Sequence, residues 1–138
     1  MASAHSLIIL KDLTISSSAT GLFDESGNSL ATANIVGSGN YAYSNTFLMS
    51  PKSLDHILTA ACEGCTVEIL LQMSPDGINW CNCVLSNGSD CEFECTATVG
   101  DCTTQVIDVP VLQYVRVKIG NAGSVGGTCN VMINHTLN

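Results

Sequence analysis

The chain has 138 residues, enough for one domain built on a single core. Only 12% of its residues are charged and 46% are hydrophobic, so its surface is either covered in part by neighbouring protein or solvated by Ser, Thr and Asn. Four Lys and Arg against twelve Asp and Glu give a net charge of −8, which argues against nucleic acid or an anionic membrane as partner, because phosphate recognition needs a basic face.

No apolar stretch reaches the length of a membrane-spanning helix. Residues 1–10 carry no basic segment ahead of their short apolar run, so no secretory signal is expected and synthesis in a host cytoplasm is.

In chain order, residues 7–13 read as a strand. Residues 16–21 and 37–40 are rich in Ser and Gly, and 24–28 are polar. Residues 1–40 are therefore an N-terminal arm or edge segment, reaching a neighbouring subunit or packing on their own domain. Residues 41–138 read as the β-sandwich domain. Within it, 41–50 (Tyr41, Tyr43, Phe47 and Met49 inward), 54–62, 80–86 and 103–109 give weak strand signals.

The stronger signals alternate with period two. In 66–74, Val67, Ile69, Leu71 and Met73 share one face. In 91–99, Cys91, Phe93, Cys95, Ala97 and Val99 oppose Glu92, Glu94, Thr96 and Thr98. In 113–120, Val115, Val117 and Ile119 point inward and Tyr114, Arg116 and Lys118 outward. In 128–137, Cys129, Val131, Ile133 and Leu137 form the apolar face. Turns are expected at 50–52, 63–64, 75–77, 87–89, 100–101 and 121–123. About eight short strands without helix periodicity specify an all-β, antiparallel β-sandwich or jelly roll.

Eight cysteines are many for a cytosolic product. Parity constrains the hairpin over 80–99. If Cys81, Cys83 and Leu85 share the core face with Cys91, Phe93 and Cys95, the loop must be odd. A loop of Asn87, Gly88 and Ser89 then sets Leu85 opposite Cys91, Cys83 opposite Phe93 and Cys81 opposite Cys95. Cys62, Cys65, Cys81, Cys83, Cys91, Cys95, Cys102 and Cys129 are the candidate disulfide or thiol cluster. Cys129 or the facing sheet offers other partners to Cys81 and Cys95, and buried free thiols remain an alternative. Zinc held by Cys62/Cys65 and Cys81/Cys83 is disfavoured, since Cys-x-Cys on a strand makes a poor knuckle.

No catalytic pattern is present. His5, His56 and His135 sit in no metal-ligand or triad spacing, no Walker or dinucleotide glycine motif occurs, and nothing marks one cysteine as activated. No cofactor and no metal are expected. Asp90, Glu92 and Glu94 line an outward strand face that reads as a solvated edge, with cation binding as the alternative, and the sequons at Asn87 and Asn134 are idle without a secretory route.

Residues 72–80 read Gln-x-Ser-x-Asp-Gly-x-x-Trp: strand, turn, strand. Pro75 fixes φ, Asp76 bonds its own following backbone, Gly77 permits φ > 0 and Trp80 opens the next strand. Tyr114-Val115-Arg116-Val117, a glycine turn and a last alternating strand follow. That order, across 54–138, resembles a family of small bacteriophage and prophage virion structural proteins. The resemblance implies a non-enzymatic β-sandwich of the capsid, neck or tail, such as a decoration or cement protein. Its partners would be a major capsid or neck/tail protein and copies of itself. Ser74, Asp76, Gly77 and Trp80 are then the structural hairpin turn. The same motifs are similar to the discoidin (F5/8 type C) fold, which implies glycan or lipid binding by loops. Under that carbohydrate-binding alternative Asn79, Trp80, Tyr114 or Tyr41 would stack on sugar.

Overall fold

The computed structural model describes residues 3–49, 53–96 and 102–137. The described residues form strands and turns and no helix, so none is long and apolar enough to cross a membrane. One antiparallel sheet has four strands in the order β1 (Ser3–Thr14), β10 (Thr128–Leu137), β4 (Ser53–Glu63) and β8 (Thr103–Ile107). The other runs β2 (Tyr41–Tyr43), β9 (Tyr114–Gly120), β5 (Thr66–Ser74) and β6 (Cys81–Asn82). In it β3 (Phe47–Leu48) also pairs with β9, and β7 (Glu92–Thr96) with β5. The turns expected at 50–52 and 100–101, and the strand end at 97–99, lie outside the described residues.

The sheets meet through the faces that alternation marked as apolar. Leu58, Val131 and Ile133 of the four-stranded sheet and Val67, Ile69, Leu71, Val115, Val117 and Ile119 of the six-stranded sheet are fully buried in one core. The fold is thus the expected all-β sandwich. Burying each such side chain contributes about 1.5–3 kcal/mol against chain entropy.

Ile9, Leu10, Leu13, Ile15, Leu22 and Ile35 of the N-terminal segment belong to this core. β1 is an edge strand on β10, with register shifts between Ile8 and Leu10 and between Leu10 and Leu13. Asp12 takes φ 51° there, and its N–H donates to Asn130 Oδ1 at 2.9 Å. After β1 the chain wraps the sandwich, burying Ile15, Leu22 and Ile35 completely. Single backbone bridges hold the wrap: Ala19 to Ala33, Phe23 to Ser29, and Phe23 to Tyr43.

Three expectations are corrected. Tyr41 and Tyr43 face outward, because Ala42 pairs with inward Ile119 and the pleat sends its neighbours to the other side. Arg116 faces outward as expected yet is only 2% exposed, since other side chains roof it. The loop after Leu85 is odd, as parity requires, but comprises residues 86–88. Leu85 N–H donates to Ser89 O at 2.8 Å and Cys91 N–H to Cys83 O at 2.7 Å, so Cys83 opposes Cys91. Gly88, at φ 87°, occupies the third loop position, where a three-residue hairpin needs a left-handed residue. Cys81, paired with Met73 on the two-residue β6, is exposed and does not face Cys95.

One close approach fixes how β4 turns into β5. Gly127 has φ 80°, and a Cβ there would lie 1.9 Å from the carbonyl oxygen of Glu63. Gly127→Ala therefore forces both a strained backbone and a clash. It is expected to cost about 3 kcal/mol or more, read from the urea midpoint at an unchanged m-value.

Candidate functional site

The hairpin turn after β5 is built from its own side chains. Fully buried Ser74 accepts the N–H groups of Asp76 and Gly77 at 3.3 and 2.9 Å and donates to Asp76 Oδ1 at 2.9 Å. Asp76 accepts the N–H groups of Ile78 and Asn79, both at 2.8 Å, and the Asn79 side-chain amide at 2.6 Å. These bonds, Asn79's backbone first, hold the Asp76 carboxyl well below the usual carboxylate range. Gly77 carries the expected positive φ and sits against the Tyr114 ring. Ser74, Asp76 and Gly77 thus come together in the turn, and Trp80 follows it with its ring against the Arg116 guanidinium.

Arg116 locks that turn to the rest of the molecule. Its guanidinium lies 4.2 Å from the centroids of both Tyr43 and Trp80. Nε donates to Gln72 Oε1 at 2.9 Å and Nη1 to the Glu25 carbonyl at 2.8 Å. One side chain therefore joins the N-terminal wrap, β2, β5 and the residue opening the post-turn segment. Burial lowers its pKa, but guanidinium remains a cation. Sequence alternation alone assigned it to solvent; the signal for its burial was the pair of aromatics flanking it in the fold.

The remaining outer face of the six-stranded sheet carries a shallow depression of about 60 Å³ lined by Tyr41, Glu68, Leu70, Glu92, Lys118, Gly120 and Asn121. Tyr41 is 44% exposed, but the Lys118 ammonium sits 3.6 Å over its ring. Trp80, half-buried, has Arg116 on its face. Of the residues expected to stack on sugar, Tyr41 and Trp80 therefore each have a ring face already taken by a cation. Glu92 and Glu94 are exposed on β7, and Asp90 accepts from Asn82 Nδ2 at 3.2 Å. No metal-holding group of three His, Cys, Asp or Glu occurs among the described residues.

The outer face of the four-stranded sheet differs. Its two central rows are Ser6–Asn134–Ile57–Val106 and Ile8–Met132–Thr59–Thr104, as the strand registers set them. Neither row carries an ionised side chain. Ile8 is 51%, Ile57 38% and Val106 59% exposed. The polar members satisfy one another: Ser6 Oγ donates to Asn134 Oδ1 at 2.7 Å, and Asn134 Nδ2 donates to Thr59 Oγ1 at 3.3 Å. A face whose polar groups are already paired loses little on dehydration.

All eight cysteines are free thiols. Cys62 and Cys129 are direct register partners on β4 and β10, both buried, with sulfurs 2.8 Å apart. Cys95, its thiol donating to the Ala60 carbonyl, lies beside Cys62, and burial with that neighbour pushes it up to about 12. Burial also raises Cys65, and the hydrogen bond to Cys83 raises buried Cys91. Cys81 and Cys102 are exposed. Cys62, Cys65, Cys81 and Cys83, the disfavoured zinc alternative, form no group of three possible metal ligands among the described residues.

No family model matches the chain, and no curated protein matches it. Among solved structures it is similar to a mutant of a carbohydrate binding module of family 29. That pair shares 16% identity and a TM-score of 0.34, over 97% of this chain and 92% of the other. It is also similar to a chain of infectious bursal disease virus, Gx strain. Here identity is 11% and TM-score 0.45, over 99% of this chain and 32% of that one. An isomalto-dextranase of Arthrobacter globiformis T6 matches at 12% identity and TM-score 0.45, over 96% of this chain and 23% of the enzyme. Function must be argued from this chain's own residues.

For the guanidinium, Arg116→Ala is expected to cost about 3 kcal/mol, from two lost cation–π contacts and two unpaired acceptors. Arg116→Lys, lacking the planar fork, is expected to recover less than half of it in chemical denaturation.

Proposed function

We propose that the chain is a non-enzymatic structural protein of a virion, a capsid decoration, cement or neck/tail component of a bacteriophage particle. It docks on its neighbours through the outer face of the four-stranded sheet. The observation that carries this is the neutral, apolar surface formed by Ile8, Ile57, Met132 and Val106. A chain of net charge −8 resists approach by copies of itself wherever its carboxylates lie. On the described surface those carboxylates include Glu68, Glu92 and Glu94 of the opposite sheet and Asp24, Glu25, Asp76 and Asp90 in the loops. The two central rows of the four-stranded face carry no ionised side chain, and exposed Glu63 stands at the end of β4 on the same outward parity. Its sheet is also flanked by edge strands β1 and β8, and a strand edge offers unpaired backbone groups to an incoming chain.

The carbohydrate-binding alternative is favoured by the depression beside Tyr41 on the opposite sheet. It is weakened there by the cations that cover Tyr41 and Trp80.

Light scattering behind size exclusion separates the two. The assembly reading expects a mass above the monomer that rises with concentration, and expects Ile57→Asp with Val106→Asp to return a folded monomer. A wild-type monomer that is retained on immobilised glycan, and released by Tyr41→Ala, would establish the alternative.

The disulfide expectation narrows to one bridge. We propose that in an oxidising medium a peroxide or a low-molecular-weight disulfide removes two electrons and two protons from Cys62 and Cys129 and joins their sulfurs. Peptide mapping without reduction is expected to yield the 62–129 cross-link first among all pairs. Eight alkylatable thiols after exposure to oxidant would contradict it.

A further inference from the structure

An unpaired strand edge invites another strand, and most edges of this sandwich are blunted against it. β2, β3 and β6 are three, two and two residues long. β7 carries exposed Glu92 and Glu94. β1 is interrupted by two register shifts, and exposed Lys11 and left-handed Asp12 fall within the second.

β8 has none of these devices. Its five residues, Thr103-Thr104-Gln105-Val106-Ile107, hold no charge, proline or glycine, and they pair with β4 without a register shift. β4 covers one side of β8, and among the described residues no strand covers the other. Gln105 Nε2 donates to the Val106 carbonyl at 3.0 Å, a donor from outside the β4 ladder. That side chain stands where the N–H of an incoming strand would bond. Residues of an antiparallel edge strand direct their backbone groups alternately inward and away, so Thr104 shares the outward direction of Val106. Asp108, just past the strand, accepts the Ser86 N–H at 3.0 Å and is engaged within the chain.

We propose that β8 pairs antiparallel with β8 of a second copy, about a two-fold axis through Gln105, joining two four-stranded sheets into one of eight strands. The pairing rests on the assembly reading and gives it a partner, a second copy of this chain. Gln105 then faces Gln105, Thr104 faces Val106 and Thr103 faces Ile107, so opposed residues keep the same side of the pleat. The outward row Ser6–Asn134–Ile57–Val106 continues into Thr104, Thr59, Met132 and Ile8 of the second copy. By symmetry the companion row continues the opposite way. Both neutral rows thus cross the join in register, which a foreign strand of other sequence would not achieve. Five paired residues bury far less than a standard interface of roughly 1,600 Å², so the dimer is expected to dissociate on dilution.

Sedimentation equilibrium of the full chain, kept reduced, reads the pairing. Gln105→Lys and Gln105→Glu each set like charges opposite one another across the axis, and each is expected to weaken dimerisation by about tenfold or more. An equimolar mixture of the two is expected to restore the dimer, and high salt to diminish that restoration. Circular dichroism checks the fold of each variant. Hydrogen exchange of the wild type needs no variant, and the Thr104 and Val106 amides are expected to slow as concentration rises. Folded variants that associate as tightly as wild type, a mixture that stays monomeric, or unchanged exchange in an associating chain would overturn the edge pairing and leave the assembly reading standing. A wild-type chain that is monomeric at every concentration would overturn both.

Discussion

The molecule is organised by one packing constraint: two antiparallel sheets must bury their inner faces against each other. Leu58, Val131 and Ile133 on one side and Val67, Ile69, Leu71, Val115, Val117 and Ile119 on the other meet that constraint with no accessible surface left. Because a pleated strand alternates faces, fixing the inner set also fixes what each sheet presents outward. The six-stranded sheet is left with Glu68, Gln72, Arg116, Lys118, Glu92 and Glu94. The four-stranded sheet is left with Ser6, Ile8, Ile57, Thr59, Val106, Met132 and Asn134 in its central rows, and Glu63 at the end of β4. Two chemically different exteriors follow from a single interior.

The charged exterior is largely spent within the fold. Arg116 is sunk between Tyr43 and Trp80 and bonded to Gln72 and the Glu25 carbonyl, and Lys118 is held over Tyr41. These contacts seat the N-terminal wrap and the Ser74–Asp76 turn on the sheet. They also occupy the aromatic faces that a sugar would need. The neutral exterior has no such internal use, and its polar side chains bond to one another. That asymmetry separates a face used within the fold from the face proposed to dock.

What the sequence reveals is what alternation controls. β5 and β10 fall at the expected 66–74 and 128–137, because period two and bounding turns are local properties. Parity also required an odd loop after Leu85. It could not place that loop, because positive φ at Gly88 selects residues 86–88 over 87–89. The short β2 was assigned to the wrong face for a related reason: only its pairing with β9 shows that Ala42, not Tyr41 or Tyr43, points inward. Residues 3–40 carry weak periodicity, so the burial of Ile15, Leu22 and Ile35 emerges only when the wrap meets the sandwich. Long-range register is the common missing quantity. It hides the Cys62–Cys129 contact, which joins residues 67 positions apart.

The central claim is that the neutral face of the four-stranded sheet is covered in the assembled state. Hydroxyl-radical footprinting of the chain, dispersed and then concentrated, reads that face side chain by side chain. Ile8, Ile57, Val106 and Met132 are expected to lose reactivity on assembly while Tyr41 keeps its own. Protection of Tyr41 with unchanged reactivity at Ile57 and Val106 would contradict the account.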